Sequence, residues 1–173
     1  ESLTYGGGST YYGIESFNSS GKASTLYSFE LNGDSITGTA SENTVDASNI
    51  DAVAFIDGLL YAFDNKTDKL TTINMDGEKV GEKKVSGLAG NKKFEGLAYG
   101  SDGLLYASAT KGSKSWLYSM DIGGTDIVAN KIGKIKSFGQ VEALTFLDDV
   151  LYGVGSKGGN PLIQIDTGSG AVL

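Results

Sequence analysis

The chain has 173 residues, and its 21 acidic side chains outnumber its 14 basic ones to give a formal net charge of −7. It has no Cys, no His and no Arg, which excludes disulfides, thiolate nucleophiles, the usual structural zinc sites and His-dependent acid–base triads. An acidic chain without a basic stripe is not expected to bind nucleic acid. Its apolar runs are far shorter than the roughly 20 residues of a membrane-spanning helix.

The remaining composition favours one secreted domain. A chain of this length can bury a single core. Its 26 glycines and single proline indicate many turns and no disordered Pro/Gly tract. The acidic, Cys-free surface, rich in Ser, Thr, Asn and Gly, suits a secreted or cell-surface bacterial protein, with a cytoplasmic protein as the alternative. Residue 1 is Glu and no signal peptide is visible, as expected for a processed or excised piece.

Four copies of one sequence unit follow each other along the chain. They start at Glu1, Asp51, Glu95 and Glu142, so that successive starts are 50, 44 and 47 residues apart. Each copy opens with an acid, a small residue, Leu or Val, Ala or Thr, and an aromatic residue, as in ESLTY, DAVAF, EGLAY and EALTF. Large and small side chains therefore alternate with period two, which predicts a strand.

The rest of each copy predicts three further strands. A hairpin turn is expected at each of Gly6-Gly7-Gly8, Asp57-Gly58, Asp102-Gly103 and Asp148-Asp149. Second strands centre on Tyr12, Tyr61, Tyr106 and Tyr152, and third strands read TLYSFEL, KLTTINM, WLYSMDI and PLIQIDT. A weaker, polar fourth strand is expected near Ile36, Val80, Ile127 and Val172. Polar connections are expected at 41–49 and 86–93.

This pattern predicts an all-β fold, a β-propeller of four repeated four-stranded antiparallel blades in a single domain. The expected blades span about 1–48, 49–92, 93–139 and 140–173. In such a fold, the large-residue face of one blade packs on the small-residue face of another. A closed four-bladed disk is preferred. An eight-bladed dimer, an excised half of a larger ring and a solenoid of stacked hairpins are the alternatives.

The segments IDAVAFIDGLLYAF and VEALTFLDDVLYGV resemble the hemopexin-like repeat, in which an Asp/Glu-Ala pair opens the innermost strand. The resemblance implies a four-bladed propeller whose axial channel holds cations, often through backbone carbonyls near that pair. The cysteines that tie the first and last blades of that family are missing here. The third strands LYSMDI and LIQID are also similar to those of secreted bacterial propellers with more blades.

The four acids that open the copies are the candidate metal ligands: Glu1, Asp51, Glu95 and Glu142. On equivalent inner strands they would converge near one mouth of the channel, where like charges repel by several kcal/mol at an effective dielectric of about 20. A Ca²⁺ or another hard cation in the central channel would neutralise them. In the alternative interpretation, each acid accepts hydrogen bonds from amides or hydroxyls of the neighbouring blade.

Trp116 is the candidate ligand-binding residue. It opens the third strand beside Lys114 and Ser115, which are expected in the turn before that strand, and it either binds a sugar or protein ligand or packs over a blade edge. The second-strand tyrosines are expected in the core between blades.

The expected function is a non-enzymatic extracellular binding or adhesion module, monomeric or dimeric, for a protein or carbohydrate ligand. One alternative is a metal-assisted hydrolase or lactonase, in which an axial ion polarises a carbonyl or phosphoryl group. A structural half of a larger propeller is another. Four equivalent acids favour the binding module, because catalysis usually requires differentiated groups.

Overall fold

The computed structural model describes residues 2–15, 24–37, 43–45, 50–88, 90 and 93–173. All regular secondary structure in these residues is β, and among them no helix is long and apolar enough to cross a membrane. The strands form four sheets. The chain divides into two compact units, Glu1–Lys83 (unit 1) and Lys84–Leu173 (unit 2).

Unit 1 contains the first and second antiparallel sheets. The first has the order β1-β2-β3-β4, with β5 also paired to β3; its strands are β1 (Ser2–Gly7), β2 (Thr10–Glu15), β3 (Ser24–Asn32), β4 (Ser35–Thr37) and β5 (Asn43–Val45). The second has β6 (Ile50–Ile56), β7 (Leu59–Asp64), β8 (Lys69–Ile73) and β9 (Lys79–Ser86), and β9 continues into unit 2. Strand β5 lies inside a segment predicted to be a connection, where the side chain of Val45 is fully buried.

Unit 2 contains the third and fourth sheets. The third sheet has β10 (Lys93–Tyr99), β11 (Leu105–Lys111), β12 (Lys114–Met120) and β14 (Asn130–Ile135), while the short β13 (Ile127–Val128) pairs in parallel with β9. The fourth sheet has β15 (Val141–Leu147), β16 (Val150–Gly155) and β17 (Leu162–Ile165). The predicted outer strand at Val172 is reduced to a single bridge with Ile165.

The outer strand of the third repeat was predicted in the wrong place. Ile127 lies in β13, where it pairs with Val85 and is buried, and the outer strand of this sheet is β14. An apolar residue at this spacing after the third strand is typical of an outer strand, but it is equally typical of a buried connection. The sequence pattern alone could not distinguish the two.

Aspartate and glycine allow the tight hairpin turns. Asp57 and Gly58 have φ of 49° and 81°, and Asp148 and Asp149 have φ of 47° and 62°. Two-residue hairpin turns that match the twist of the strands need this left-handed backbone, which Gly and Asp adopt most readily. In the first repeat β1 extends to Gly7, two residues further than predicted.

In unit 1, the first sheet packs on the second through small hydroxyl side chains. Ser2 Oγ accepts a hydrogen bond from Val53 N (3.1 Å), and Thr4 Oγ1 accepts one from Phe55 N (3.2 Å). The ring of Tyr12 stacks on that of Phe55 with centroids 5.4 Å apart. Hydroxyls of β1 thus satisfy backbone donors on the free edge of β6.

In unit 2, the third sheet packs on the fourth through a glycine. A Cβ added at Gly96 would lie 2.8 Å from Leu144 N and 2.9 Å from Ala143 C. The absence of a side chain therefore allows the backbones of β10 and β15 to approach each other. Beside this contact, Tyr106 meets Phe146 edge-on, with centroids 5.4 Å apart.

Each sheet is a blade in which the innermost strand pairs with only one neighbour and the strands follow one another as a meander. The predicted fold class, an all-β propeller-type chain of four antiparallel blades, is confirmed. Among the second-strand tyrosines, Tyr106 is buried, while Tyr12, Tyr61 and Tyr152 are half-buried.

Replacing Gly96 by Ala should destabilise the protein strongly, because the new methyl group would meet backbone atoms that cannot rotate away. We expect a loss of about 1–3 kcal/mol in the free energy of unfolding, measured by urea denaturation. Gly13→Ala is the matched control, since its methyl group would find its nearest neighbour at 3.7 Å. Equal losses in the two variants would contradict this account of the contact.

Tyr106 should make stability fall at alkaline pH. Burial, together with a hydrogen bond donated to Asp102 Oδ2 (2.7 Å), raises the pKa of Tyr106 from 10.0 to about 12. Between these values the unfolded chain releases a proton that the folded chain keeps, so the stability that is present below pH 10 is lost as pH rises through this window.

Tyr106→Phe should therefore reduce the alkaline slope of the free energy of unfolding. It should also cost about 1 kcal/mol at neutral pH through the lost hydrogen bond. Tyr152→Phe is the control, because its hydroxyl only accepts an exposed hydrogen bond from Gln164. An unchanged slope in Tyr106→Phe, measured by urea denaturation from pH 8 upward, would refute the assignment.

Candidate functional site

The acids that open the second, third and fourth repeats all lie at β-bulges. The ladder between β6 and β7 skips Asp51, since Ile50 pairs with Asp64 and Ala52 with Phe63. Glu95 is skipped in the same way between β10 and β11, and Glu142 between β15 and β16. A bulge residue is unpaired and bends its strand, so its side chain is turned out of the regular alternation.

In unit 1, Asp51 is held by an amide of its own sheet. Asn65 follows β7 in the next turn and donates from Nδ2 to Asp51 Oδ2 (2.8 Å). Asp51 is half-buried. Its carboxylate is thus fixed near the end of the inner strand by a neutral donor of the same blade.

In unit 2, Glu95 has an equivalent contact. Thr110, in β11, donates from Oγ1 to Glu95 Oε1 (2.9 Å), and Glu95 is half-buried. For Asp51 and Glu95 alike, these donors belong to the acid's own blade and not to the neighbouring one. Glu142 is exposed at the bulge of β15.

The structure brings Glu95 and Glu142 onto inner strands that pack together through Gly96. Asp51 holds the same place in the second sheet, in unit 1. The fourth predicted ligand, Glu1, lies outside the described residues. Within the described part of the chain, no group of three or more acidic residues is arranged to hold a metal ion.

Hydroxyl and amide groups surround the start of β15 at this end of unit 2. Ser115 Oγ accepts from Val141 N (2.8 Å) and donates to Gly139 O (3.2 Å). Gln140 N donates to Ser156 Oγ (2.9 Å). We call the group Glu95, Thr110, Ser115, Glu142 and Ser156 the polar end of unit 2. Glu142 and Ser156 are exposed and Glu95 is half-buried, whereas Thr110 and Ser115 are buried.

A buried hydroxyl on β11, close in sequence to Thr110, lacks a hydrogen-bond partner. Ser108 lies two residues before Thr110 on β11, on the same face of the strand. It is fully buried, and its Oγ has no hydrogen-bond partner among the described residues. A buried hydroxyl without a partner costs about 1–3 kcal/mol.

Trp116 lies in β12, as the predicted third strand WLYSMDI requires, and β12 also includes Lys114 and Ser115, which were expected in the turn before it. Trp116 is opposite Ala109 on one side and Lys134 on the other, and it is half-buried. Lys131 Nζ lies 5.9 Å from the centroid of its ring, within the range of a cation–π contact. Part of the indole face is therefore covered by a lysine that is itself exposed.

Sequence reasoning missed Asn65 and Thr110, the donors to the two acids. Both lie at the end of the second strand, 14 and 15 residues after their acids. A polar residue that closes the second strand was a usable signal. The register between the first and second strands must be known, however, before this polar residue can be assigned as the donor to the acid.

The model of a protein family described as "Repeat of unknown function (DUF6923)" matches residues 14–173. No curated protein matches the sequence.

Several solved structures are similar in fold. A putative 6-phosphogluconolactonase from Bacteroides uniformis ATCC 8492 has a TM-score of 0.57 at 14% identity, over 99% of this chain and 55% of that chain. Myxococcus xanthus glutaminyl cyclase has 0.57 at 13%, over 90% and 75%. Virginiamycin B lyase from Staphylococcus aureus has 0.51 at 16%, over 91% and 52%.

These identities are so low that the similarity shows the fold alone. The chain spans about half of the lactonase and lyase structures.

Proposed function

Because the chain belongs to this DUF6923 family of repeats of unknown function, we propose its function from its own residues: it is a non-enzymatic binding module. The polar end of unit 2 is its ligand surface. The observation that carries the proposal is the repeated β-bulge, which turns an acid out of the strand ladder at the same position of three blades. Bulges of this kind occur next to binding sites, where they redirect a side chain.

The chemistry of the polar end suits a hard cation. Glu95 and Glu142 supply carboxylates from inner strands that pack together, and Ser156 supplies an exposed hydroxyl oxygen. The buried Thr110 holds the Glu95 carboxylate through a hydrogen bond. Ca²⁺ prefers oxygen ligands of these types. The unsatisfied hydroxyl of Ser108 adds support, because a bound water or ligand oxygen would remove its cost.

The absence of His, Cys and Arg supports a binding function over an enzymatic one, since acid–base chemistry would have to rest on carboxylates, Lys and Tyr. The lactonase from Bacteroides uniformis has a similar fold, but a shared fold does not transfer a reaction. The proposal includes a secreted or cell-surface location in a bacterium. Its support is the acidic composition rich in Ser, Thr, Asn and Gly.

Calcium binding tests the polar end directly. We expect isothermal titration with CaCl₂ to show binding to the wild-type chain, and Glu95→Gln or Glu142→Gln to weaken it by about tenfold or more through loss of one ligand carboxylate. Asp126→Asn is the control, because Asp126 is an exposed loop acid of the same unit. Absence of binding to the wild type, or wild-type affinity in both variants, would refute the cation site.

Trp116 is proposed as a second contact point for a carbohydrate. It is the single Trp of the chain, so intrinsic fluorescence reports on its surroundings alone. Titration with a panel of soluble oligosaccharides should shift its emission, and Lys131→Ala should change the affinity by uncovering the ring. Unchanged emission across the panel would assign Trp116 to packing at the blade edge.

A further inference from the structure

A large apolar residue at one position of the inner strand is buried in the second, third and fourth blades but exposed in the first. The large residues Val53, Leu97 and Leu144 hold equivalent positions and are 2%, 4% and 9% exposed. Leu3 holds the same position in β1 but is 60% exposed. The large-residue face of the first blade therefore lacks the cover that the other blades have.

Aromatic rings extend this open face across the first sheet. Tyr5 is 55% exposed, and its ring lies 5.3 Å from that of Tyr11, which stacks on Phe29 at 5.8 Å. Leu3, Tyr5, Tyr11 and Phe29 thus form one apolar surface, which we call the large face. Exposed apolar surfaces of this kind on a sheet mark interaction sites.

In the fourth blade it is the small residues of the inner strand that are exposed. The small residues Ala52, Ala54 and Ala98 are buried in their blades, whereas the equivalent residues of the fourth blade, Ala143 and Thr145, are exposed. Val154 lies opposite Ala143 and Leu162 lies opposite Val154, and they are 36% and 67% exposed. We call this surface, made of Ala143, Thr145, Val154 and Leu162, the small face.

We propose that the large face of one copy of this chain packs on the small face of a second copy. This would repeat the contact between blades already present in each unit, where small residues of the earlier blade meet large residues of the later one. In unit 1, Ser2 and Thr4 meet the strand that carries Val53 and Phe55. In unit 2, Gly96 meets the strand that carries Leu144 and Phe146.

The hydroxyl of Thr145 gives the contact a specific register. Thr4 Oγ1 accepts from the backbone N of Phe55, which is the aromatic residue of the following blade. Thr145 is equivalent to Thr4, and Tyr5 is equivalent to Phe55. In the junction between copies, Thr145 Oγ1 of one copy accepts from Tyr5 N of the other.

The two faces differ, so the contact is heterologous, and variants that block one face each can complement each other. Leu3→Lys with Tyr5→Lys blocks the large face, and Ala143→Lys with Thr145→Lys blocks the small face. All four residues are exposed, so the variants should fold. Val80→Lys is the control, since Val80 is 55% exposed on β9 of the second sheet, outside both faces.

Light scattering after size-exclusion chromatography should give the wild-type and Val80→Lys chains a mass of at least twice 18.0 kDa. Each blocked variant alone should give the mass of one chain. An equimolar mixture of the two should regain a two-chain complex, with lower affinity because it retains one intact junction.

A wild-type mass of one chain at high protein concentration would overturn the proposal. The two faces would then be covered by each other within one chain, or by a blade of another protein. The proposal is also overturned if the blocked variants keep the wild-type mass, or if their mixture stays at one chain. The outcome is independent of calcium binding at the polar end, so the two proposals fail separately.

Discussion

The alternation of small and large side chains on the innermost strands is the constraint on which the rest of this structure depends. Neighbouring blades can approach only where a small side chain faces a large one. At Gly96 even a methyl group would collide with the backbone of the next blade. Where the small residue has a hydroxyl, as at Ser2 and Thr4, it also satisfies amides that the strand ladder leaves free.

This constraint explains which parts of the fold could be predicted from the sequence. The inner strands were predictable because small and large residues alternate along them in the sequence itself. The turns were predictable because Asp57 and Gly58 are residue types that accept a left-handed backbone. The outer strands were less predictable. Ile127 and Val45 are short apolar signals in polar surroundings, and the partner that covers such a residue depends on tertiary packing.

The sequence indicated which acids to consider for the candidate site, but not their geometry. The repeated acids marked Asp51, Glu95 and Glu142. A sequence does not show that an acid is skipped in the ladder, because a bulge is defined by the pairing of two strands. The roles of Asn65 and Thr110 remained hidden for the same reason, since each contacts its acid only after the hairpin has formed. The strand that carries Trp116 begins two residues earlier than predicted, because Lys114 and Ser115 are polar residues that read as part of the turn.

The bulges also determine where such a chain can lose a residue during evolution. A deletion in the middle of an inner strand shifts the remaining side chains to the opposite face of the sheet, which would exchange its small and large surfaces. At Asp51 the ladder already pairs Ile50 and Ala52 with successive residues of β7. Deletion of that codon would leave the pairing of the strand intact, and the same applies at Glu95 and Glu142. In β6, β10 and β15 the acid is therefore the one residue that the hydrogen-bonded ladder does not require.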